Sequence, residues 1–561
     1  MQPAHPQPQP SLDRGQLAKL FQLTGVWLLV FLALFFLSTA LLYFLRVTIG
    51  PASFLPALLL SMPAGWLLAR RSRLERRAVI AAAVGLGLFA LAAVLVSGAV
   101  FDISWDGMDY HQRSIYRLAE GFNPVYEIAG PIDKYYNVWF NHYVKGPWYF
   151  GAALYRLTGS IESGKAINWL MLAAAACLSL AFFLRQPWLG GWQAALIGLM
   201  LAANPVALSQ IFSYYIDGLV ASALLITVLA LALYRESEPL SGALGLSAAM
   251  VIGLNIKFTA SAYMAVFVGL GWLYLLWRAR SRAFALRLTA VLAAGGLLGL
   301  LLAGYSSYVT NTLRHGNPLY PLLGGEEYNQ AYIIQQQAPP GFLNRGQAEK
   351  LALSLFARAG NGVIPGSLQL KAPFAVQRDD LIAFFAVDVR YSGFGPWFSG
   401  ALLLAGLVLI AGAGEDRRRA ALALGCMALA AGSTFINSEN WWARYAPQIW
   451  WVPVIALALG LSLKARPVRL LAALLAAALA LNLGMVAGPI TYYNLRSTRE
   501  IAAHLETLAD SPEPVLFSAG PFAGWVYRLE RYGVPYQLVT EAELPCPQHL
   551  PLAAYSPAQC P

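Results

Sequence analysis

Asp102, Asp106 and Asp109 fall within eight residues of one another, directly after a long apolar run. A carboxylate in this position can act as general base toward an acceptor hydroxyl or amine. Asp106 and Asp109 could instead share a divalent cation, Mg²⁺ or Mn²⁺, that neutralises a phosphate leaving group. The simpler interpretation is that these acids are solvated or cap the next helix. The clustering favours chemistry, so Asp106 and Asp109 are the candidate catalytic and metal-binding residues.

Aromatic and basic residues follow in the same polar stretch. Tyr110 and His111 begin a helical pattern over Asp109–Leu118, typical of a short helix on a membrane surface. His142 and Lys145 come later, and Lys145 offers a point charge suited to a phosphate. The alternative for Lys145 is that its side chain snorkels to the head-group level beside a tryptophan.

Asp217, Lys257 and Arg444 interrupt or end apolar runs. Charges at membrane depth are costly and by default indicate function. All three are expected near one face, where they could border one cavity, and Arg444 could bind a phosphate or stack on a sugar beside Trp442. The alternative is a structural Asp217–Lys257 ion pair that holds helices together. The remaining candidate substrate-binding residues are Arg314, His315, Arg390 and Glu439.

The composition defines the setting of these residues. Hydrophobic residues make up 58% of the 561 residues and charged residues only 12%, with a mean hydropathy of +0.55. A soluble chain carries about 25% charged residues. Apolar runs such as Thr24–Leu45 and Ala78–Val100 are long enough to cross a hydrocarbon layer of ~30 Å. The sequence therefore predicts an all-α polytopic membrane protein with large outer loops.

About 13 spanning helices are predicted. They are placed at 24–45, 50–69, 78–100, 164–184, 189–207, 215–234, 242–256, 259–277, 288–305, 397–413, 419–436, 447–463 and 467–489.

The net charge of +11 is concentrated in short loops between these runs. The basic clusters lie at 70–77, 278–287, 417–419 and 464–469. Such loops are the positive-inside signature, which places them and the N-terminus in the cytoplasm and the C-terminus outside. The charge thus predicts how the protein is oriented in a plasma or inner cell membrane, where membrane lipids surround it. It gives no reason to expect binding to nucleic acid.

The predicted organisation has three parts. Residues 1–23 read as a disordered cytoplasmic tail, and 24–490 as the transmembrane domain with outer loops at 101–163, 306–396 and 437–446. Residues 491–561 read as a small extracytoplasmic α/β subdomain, with a helical pattern at Ser497–Leu508 and strand patterns at Pro514–Phe517 and Tyr536–Val539.

Three absent motifs and the four cysteines also bear on the function. No zinc-ligand spacing, Walker loop or nucleophile elbow occurs, which weighs against hydrolases and ATP-driven pumps. Cys546 and Cys560 lie in the tail, where a disulfide is plausible if the tail is outside, while Cys177 and Cys426 fall in apolar runs.

The spacing of Asp106 and Tyr110, followed by Arg117-Leu118-Ala119, resembles the GT-C superfamily of polytopic glycosyltransferases. Aminoarabinose transferases and protein mannosyltransferases belong to it. The resemblance implies that Asp106 is the general base and that Lys145 or Arg444 holds the lipid-carrier phosphate. The family's Asp-Glu pair is here Asp106-Gly107, so the acidic partner would be Asp109 or Asp102, and two extra helices precede the catalytic loop.

The resemblance implies sugar transfer from a polyprenyl-phosphate or polyprenyl-diphosphate donor to a lipid, glycan or protein acceptor on the extracytoplasmic side. Two other classes share these features. A transporter or flippase would explain the charges at 217 and 257. A polysaccharide polymerase or ligase would use Arg314, Arg390 and Arg444 to grip a diphosphate.

Overall fold

The structure is a computed structural model of the chain. It describes residues 13–130, 134–236, 238–279, 281–322, 338–339, 341–361, 368–545, 548–549 and 557–560. The first 12 residues of the predicted tail and the predicted Cys546–Cys560 disulfide lie outside the described residues, since Cys546 is not among them.

Apolar helices dominate the described chain. In chain order they are α1 (Arg14–Phe44), α2 (Pro51–Arg71), α3 (Arg76–Ala99), α4 (Ile161–Leu184), α5 (Gly191–Ala202), α6 (Asp217–Tyr234), α7 (Pro239–Leu254), α8 (Phe258–Trp277), α9 (Arg282–Ala303), α10 (Phe398–Glu415), α11 (Arg417–Ile436), α12 (Pro447–Ser462) and α13 (Arg466–Ala509). Ten of these helices are long and apolar enough to cross a membrane, which makes the architecture compatible with a multi-pass membrane protein. The shorter helices α5, α7 and α12 coincide with the other three predicted spans.

The outer surface of this bundle is strongly apolar. Leu88 and Leu95 on α3, Ile410 on α10 and Leu470 on α13 are each more than 60% exposed. A soluble protein would bury such side chains, whereas a lipid environment solvates them. The exposure of these Leu and Ile side chains therefore fits helices that face lipid rather than water.

The helices form two packed groups. In the first, α1 packs against α2, α4 and α7, and α6 packs against α4, α7 and α8. In the second, α10 to α13 pack around one another, with α12 also contacting α5. Gly460 allows the close approach within the second group, because a Cβ there would lie 2.7 Å from the Cβ of Ala472.

The first helix begins earlier than predicted. Residues 14–23, assigned to the disordered tail, form the first turns of α1, and the Asp13 side chain caps them by accepting from the Gln16 backbone N–H at 2.7 Å. Arg14 donates to the backbone carbonyls of Leu184 and Gln186 at 2.8 and 2.9 Å. The tail assignment was wrong at these residues because contacts with the α4–α5 turn order a segment that is polar by itself.

The polar segments between the spans contain short helices. A π-helical turn at Gly107–His111 leads into Gln112–Ala119, as the surface-helix pattern predicted. The other short helices are Lys134–His142, Gly146–Thr158, Pro205–Ser209, Thr310–His315, Gln347–Phe356 and Arg378–Ile382.

The C-terminal part is a small α/β unit, as predicted. Its sheet has the order β2-β1-β4-β3, from β1 (Val515–Ser518), β2 (Tyr536–Leu538), β3 (Gln548–His549) and β4 (Ala558–Cys560). Helix α14 (Gly524–Tyr532) connects the parallel pair β1 and β2, while β4 runs antiparallel to both β1 and β3.

Helix α13 crosses the boundary predicted at 490, because it continues for 44 residues from the apolar span into the C-terminal unit. Pro489 lies inside it without ending it. Ser497, Ile501, Leu505 and Leu508 form a buried stripe at helical spacing. That stripe packs against the C-terminal sheet and α14, so tertiary burial stabilises the helix beyond its apolar part.

Arg528 of α14 anchors this unit to the first outer loop. Its side chain is 1% exposed and lies 3.2 Å from the Glu162 carboxylate, which also contacts Lys165 at 2.7 Å. The same guanidinium donates to the backbone carbonyl of Asp102 and stacks on Phe101, at 4.8 Å from the ring centre. The C-terminal unit therefore forms the support of the loop that contains Asp106.

We expect Arg528→Gln to lower stability by about 3 kcal/mol, because it leaves the buried Glu162 with one cation fewer. The measurement is thermal unfolding of the purified protein together with protease resistance of the tail. Arg531→Gln, an exposed arginine on the same helix, is the matched control and should cost less than about 1 kcal/mol. Equal stabilities for the two variants would contradict the anchoring role.

Candidate active site

The loop before the π turn is held by Asp102. This fully buried carboxylate accepts from the backbone N–H and the hydroxyl of Ser104, at 2.9 and 2.6 Å, and from the backbone N–H of Tyr214 at 2.6 Å. A Cβ at residue 107 would overlap the Asp102 carboxylate. A residue with a side chain could therefore not follow Asp106 without moving Asp102.

Arg444 lies among three carboxylates from three distant segments. Its Nη1 is 3.0 Å from Asp388 Oδ2 and 3.7 Å from Asp106 Oδ2, and its Nε is 3.7 Å from Asp217 Oδ2. The side chains are largely buried, Asp106 being the most open at 24% exposure. We call Asp106, Asp217, Lys257, Asp388 and Arg444 the charge cluster.

Lys257 completes the charge cluster. It precedes α8, and its Nζ lies 2.5 Å from Asp217 Oδ1, at the first residue of α6. The ion pair proposed as the structural alternative for these two residues is therefore present. Asp217 bridges Lys257 and Arg444, so the pair belongs to the same cluster as Asp106.

Aromatic rings surround the Arg444 guanidinium. Ring centres of Trp442, Tyr445 and Tyr215 lie 4.7, 4.8 and 5.1 Å from its Cζ. Arg390 also lies over the Trp442 ring, at 5.2 Å. Such cation–π contacts stabilise a partly desolvated guanidinium and present flat apolar faces beside it.

Burial alters the proton affinity of the cluster. It raises the pKa of Asp106 above its ordinary value, against the lowering effect of Arg444. Burial likewise raises the pKa of Asp388 to about 6, although Arg444 is its nearest cation. Both carboxylates are therefore better proton acceptors than a solvated aspartate.

Tyr110, His111 and Trp148 form a wall next to the cluster. Trp148 Nε1 donates to His111 Nδ1 at 2.7 Å, and the Tyr110 ring lies 4.2 Å from the His111 ring. Because indole N–H can only donate, Nδ1 must accept, and the proton of the neutral ring is on Nε2. Burial lowers the pKa of His111 to about 3, so the imidazole stays neutral.

Several buried polar atoms in this region have no hydrogen-bond partner in the described structure. They are His111 Nε2, Asp388 Oδ1, Trp442 Nε1 and Arg444 Nε. Buried polar atoms are usually satisfied, so each of these exceptions calls for an explanation. A polar ligand rich in hydroxyl or phosphate oxygens would supply both the acceptors and the donors that these atoms require.

A second basic group contains His142, Arg314 and His315. His142 Nδ1 is 2.7 Å from Asn311 Oδ1, and the His142 ring lies 4.9 Å from the His315 ring. His315 stacks on Tyr320 with ring centres 3.7 Å apart. Arg314 and His315 are exposed, so this group faces the surface rather than the charge cluster.

Lys145 lies inside the protein rather than at its surface. It is buried and donates to the backbone carbonyls of Asn141 and Tyr143, at 3.1 and 2.8 Å. Burial lowers its pKa to about 7. The snorkelling interpretation is wrong, because the ammonium points to main-chain oxygens that fix the turn before the helix Gly146–Thr158.

Glu439 takes part in a separate contact. Its carboxylate accepts from Trp441 Nε1 at 2.5 Å and lies 4.0 Å from Lys350 Nζ. Trp441 stacks on Trp442 at 5.4 Å. Glu439 is therefore connected to the charge cluster through the stacked Trp441 and Trp442.

Asp109 is half-buried in the π turn Gly107–His111, three residues after Asp106. Among the described residues, no group of three or more His, Cys, Asp or Glu side chains is arranged to hold a metal ion. Asp106 lies 3.7 Å from the Arg444 guanidinium, which supplies positive charge beside this carboxylate.

Asp388 is the cluster member that the sequence analysis did not select. It ends the second outer segment, two residues before Arg390, and the only signal was an acidic residue next to a selected basic one. Its pairing with Arg444 spans 56 residues, so no local pattern indicates it.

The sequence matches no protein-family model, and no curated protein matches it. The site is accordingly interpreted from its own geometry.

A double-mutant cycle on Lys257→Met and Asp217→Asn tests the ion pair. Each single change leaves a buried charge with one partner fewer, and we expect a coupling energy of about 1–3 kcal/mol in thermal unfolding. The exposed pair Arg496 and Glu500 is the control and should show less than about 1 kcal/mol. Additive effects at Asp217 and Lys257 would show that the pair does not stabilise the fold.

Proposed function

We propose that this chain is a GT-C-like membrane glycosyltransferase, with all 13 apolar helices crossing the membrane and the charge cluster on the extracytoplasmic side. The donor would be a polyprenyl-phosphate or diphosphate sugar, and the acceptor a lipid, glycan or protein. One observation supports this proposal most strongly. Three carboxylates surround Arg444, next to aromatic rings and to buried polar atoms without a hydrogen-bond partner; they belong to Asp106, Asp217 and Asp388.

Asp106 is the proposed base. It is the most exposed carboxylate of the cluster, and burial raises its pKa, so it is accessible and basic. An acceptor O–H or N–H gives its proton to the Asp106 carboxylate while its heavy atom bonds to the sugar C1. The C1–O bond to the phosphate breaks, and its electron pair leaves with the phosphate oxygen.

The charge balance of the cluster limits where the phosphate can bind. Three carboxylates, Asp106, Asp217 and Asp388, face Lys257 and Arg444, and Arg390 also acts on Asp388, so the cluster has no surplus positive charge when all are ionised. Arg444 therefore serves mainly to orient Asp106. Arg390, on the same Trp442 ring, is the better candidate for contacting the phosphate oxygens.

The aromatic residues enclose the proposed sugar site. Trp442 and Tyr445 are buried around Arg444, and Trp442 stacks on Trp441, so these rings hold the guanidinium in place. His111 Nε2–H is a buried neutral donor without a hydrogen-bond partner, and such a donor fits a sugar hydroxyl oxygen.

A transporter or flippase is the second candidate. Its support is that Asp217 and Lys257 lie where α6 and α8 begin, next to non-helical segments at 210–216 and 255–257. A flippase would move the lipid-linked sugar across the bilayer without breaking the glycosidic bond, which separates the two functions by experiment.

The test is a transfer assay in membranes from cells that lack the protein and express wild type or Asp106→Asn. A panel of labelled polyprenyl-phosphate sugars is supplied with and without a chelator. We expect Asp106→Asn to lower transfer by about 10²–10⁴-fold, the contribution of a general base. Glu120→Gln, an exposed acid of the same outer segment, is the control and should behave as wild type.

Transfer by Asp106→Asn at the wild-type rate would contradict the base assignment. Movement of label across the bilayer without a new glycosidic bond would support the flippase instead. Loss of transfer on adding chelator would indicate that a cation assists Asp106.

The pH dependence of transfer follows from the raised pKa of Asp106. The base must be ionised, so activity falls as the pH drops through this pKa, which lies above the ordinary aspartate value of about 3.9. Asp388→Asn removes a neighbouring negative charge and frees Arg444 for Asp106, so the acidic limb of kcat/KM should move to lower pH. A limb that stays in place or moves to higher pH would show that Asp388 does not act on the base.

A further inference from the structure

An apolar groove of about 720 Å³ lies at the opposite end of the helices from the charge cluster. Its walls come from α4, α11 and α12, and the small side chains Ala423 and Ala458 leave the space open. The volume is within the range of small-molecule sites, and an apolar cavity of this kind is not a favourable place for water.

The groove has the depth of one membrane leaflet. It extends from Arg418 to Cys426 on α11 and from Ser462 to Val454 on α12. At 1.5 Å per residue each wall is roughly 12 Å long. Half of a ~30 Å hydrocarbon layer is about 15 Å, so the groove matches the reach of an acyl chain from one surface.

The mouth of the groove is basic. Arg418 is exposed there, and Trp188 provides an aromatic ring at the level where tryptophan favours the interface. Arg419 also lines the mouth, but its Nη1 donates to the Ser462 carbonyl at 3.0 Å and its Nε lies 3.2 Å from Asp416. Arg418 is thus the cation most available to a ligand.

The nearby acids do not cancel this charge. Glu415 accepts from the backbone N–H groups of Lys464 and Ala465, at 2.7 and 3.1 Å. Asp416 caps α11 by accepting from the Arg419 backbone N–H at 3.0 Å. The basic residues of the two adjoining turns are Arg417, Arg418, Arg419, Lys464 and Arg466, against these two acids.

We propose that this groove binds one anionic phospholipid of the surrounding membrane, with an acyl chain between α11 and α12 and its phosphate at Arg418. Basic pockets between membrane helices bind anionic head groups, each nearby Lys or Arg adding affinity. The site is independent of the charge cluster and of sugar transfer. It ties the α10–α13 group to lipid on the side where the positive-inside pattern places the arginines.

The experiment uses native mass spectrometry of the full chain released from nanodiscs that contain equal phosphatidylglycerol and phosphatidylcholine with identical chains. Wild type should retain one phosphatidylglycerol in preference to phosphatidylcholine. Arg418→Gln should reduce this preference about five-fold, the effect of one basic contact. Ala458→Phe should fill the groove and abolish retention of the bound lipid.

Two controls match these variants. Arg282→Gln removes an exposed arginine at the start of α9, and Ala428→Phe adds a ring on an exposed face of α11, neither lining the groove. Both should retain lipid as wild type does, and melting temperatures confirm that all variants fold. Equal retention of the two lipids by wild type, or unchanged retention by Ala458→Phe, would overturn the proposal.

Discussion

The Arg444 guanidinium among three aspartates is the interaction on which the organisation of the polar end depends. A buried charge is costly unless it is paired, and each member of this cluster is supplied by a different segment. The loop after α3, the start of α6, the end of the second outer segment and the turn before α12 must therefore meet. Once they meet, the aromatic residues on those segments enclose the same space.

A second buried network of hydrogen bonds and ion pairs supports the loop that contains Asp106. Asp102 holds the Tyr214 backbone and the turn at Ser104, while Arg528 and Lys165 neutralise Glu162 behind it. The C-terminal unit contributes Arg528, so a domain at the end of the chain helps to shape a loop near residue 102. Gly107 is the point of contact, because the Asp102 carboxylate occupies the space of a side chain there.

The two ends of the helical bundle offer different chemistry. One end combines carboxylates of raised pKa, stacked aromatics and unsatisfied polar atoms, which suits a polar, oxygen-rich substrate. The other end combines an apolar groove with arginines, which suits a membrane lipid. The two sites share no lining residue, since the groove is lined by residues of α4, α5, α11 and α12 and by Trp188.

The sequence alone determined the membrane class, the position of the apolar helices and the strands β1 and β2, because hydrocarbon thickness and strand alternation leave local patterns. It also indicated that Asp217, Lys257 and Arg444 could border one cavity, since charges in apolar runs are rare. Only the tertiary structure decided that Asp388 joins them, that Lys145 serves the backbone, that α13 runs into the C-terminal unit and that Arg528 lies under the loop. These features depend on contacts between segments up to several hundred residues apart, and such contacts leave no trace in the spacing of neighbouring residues.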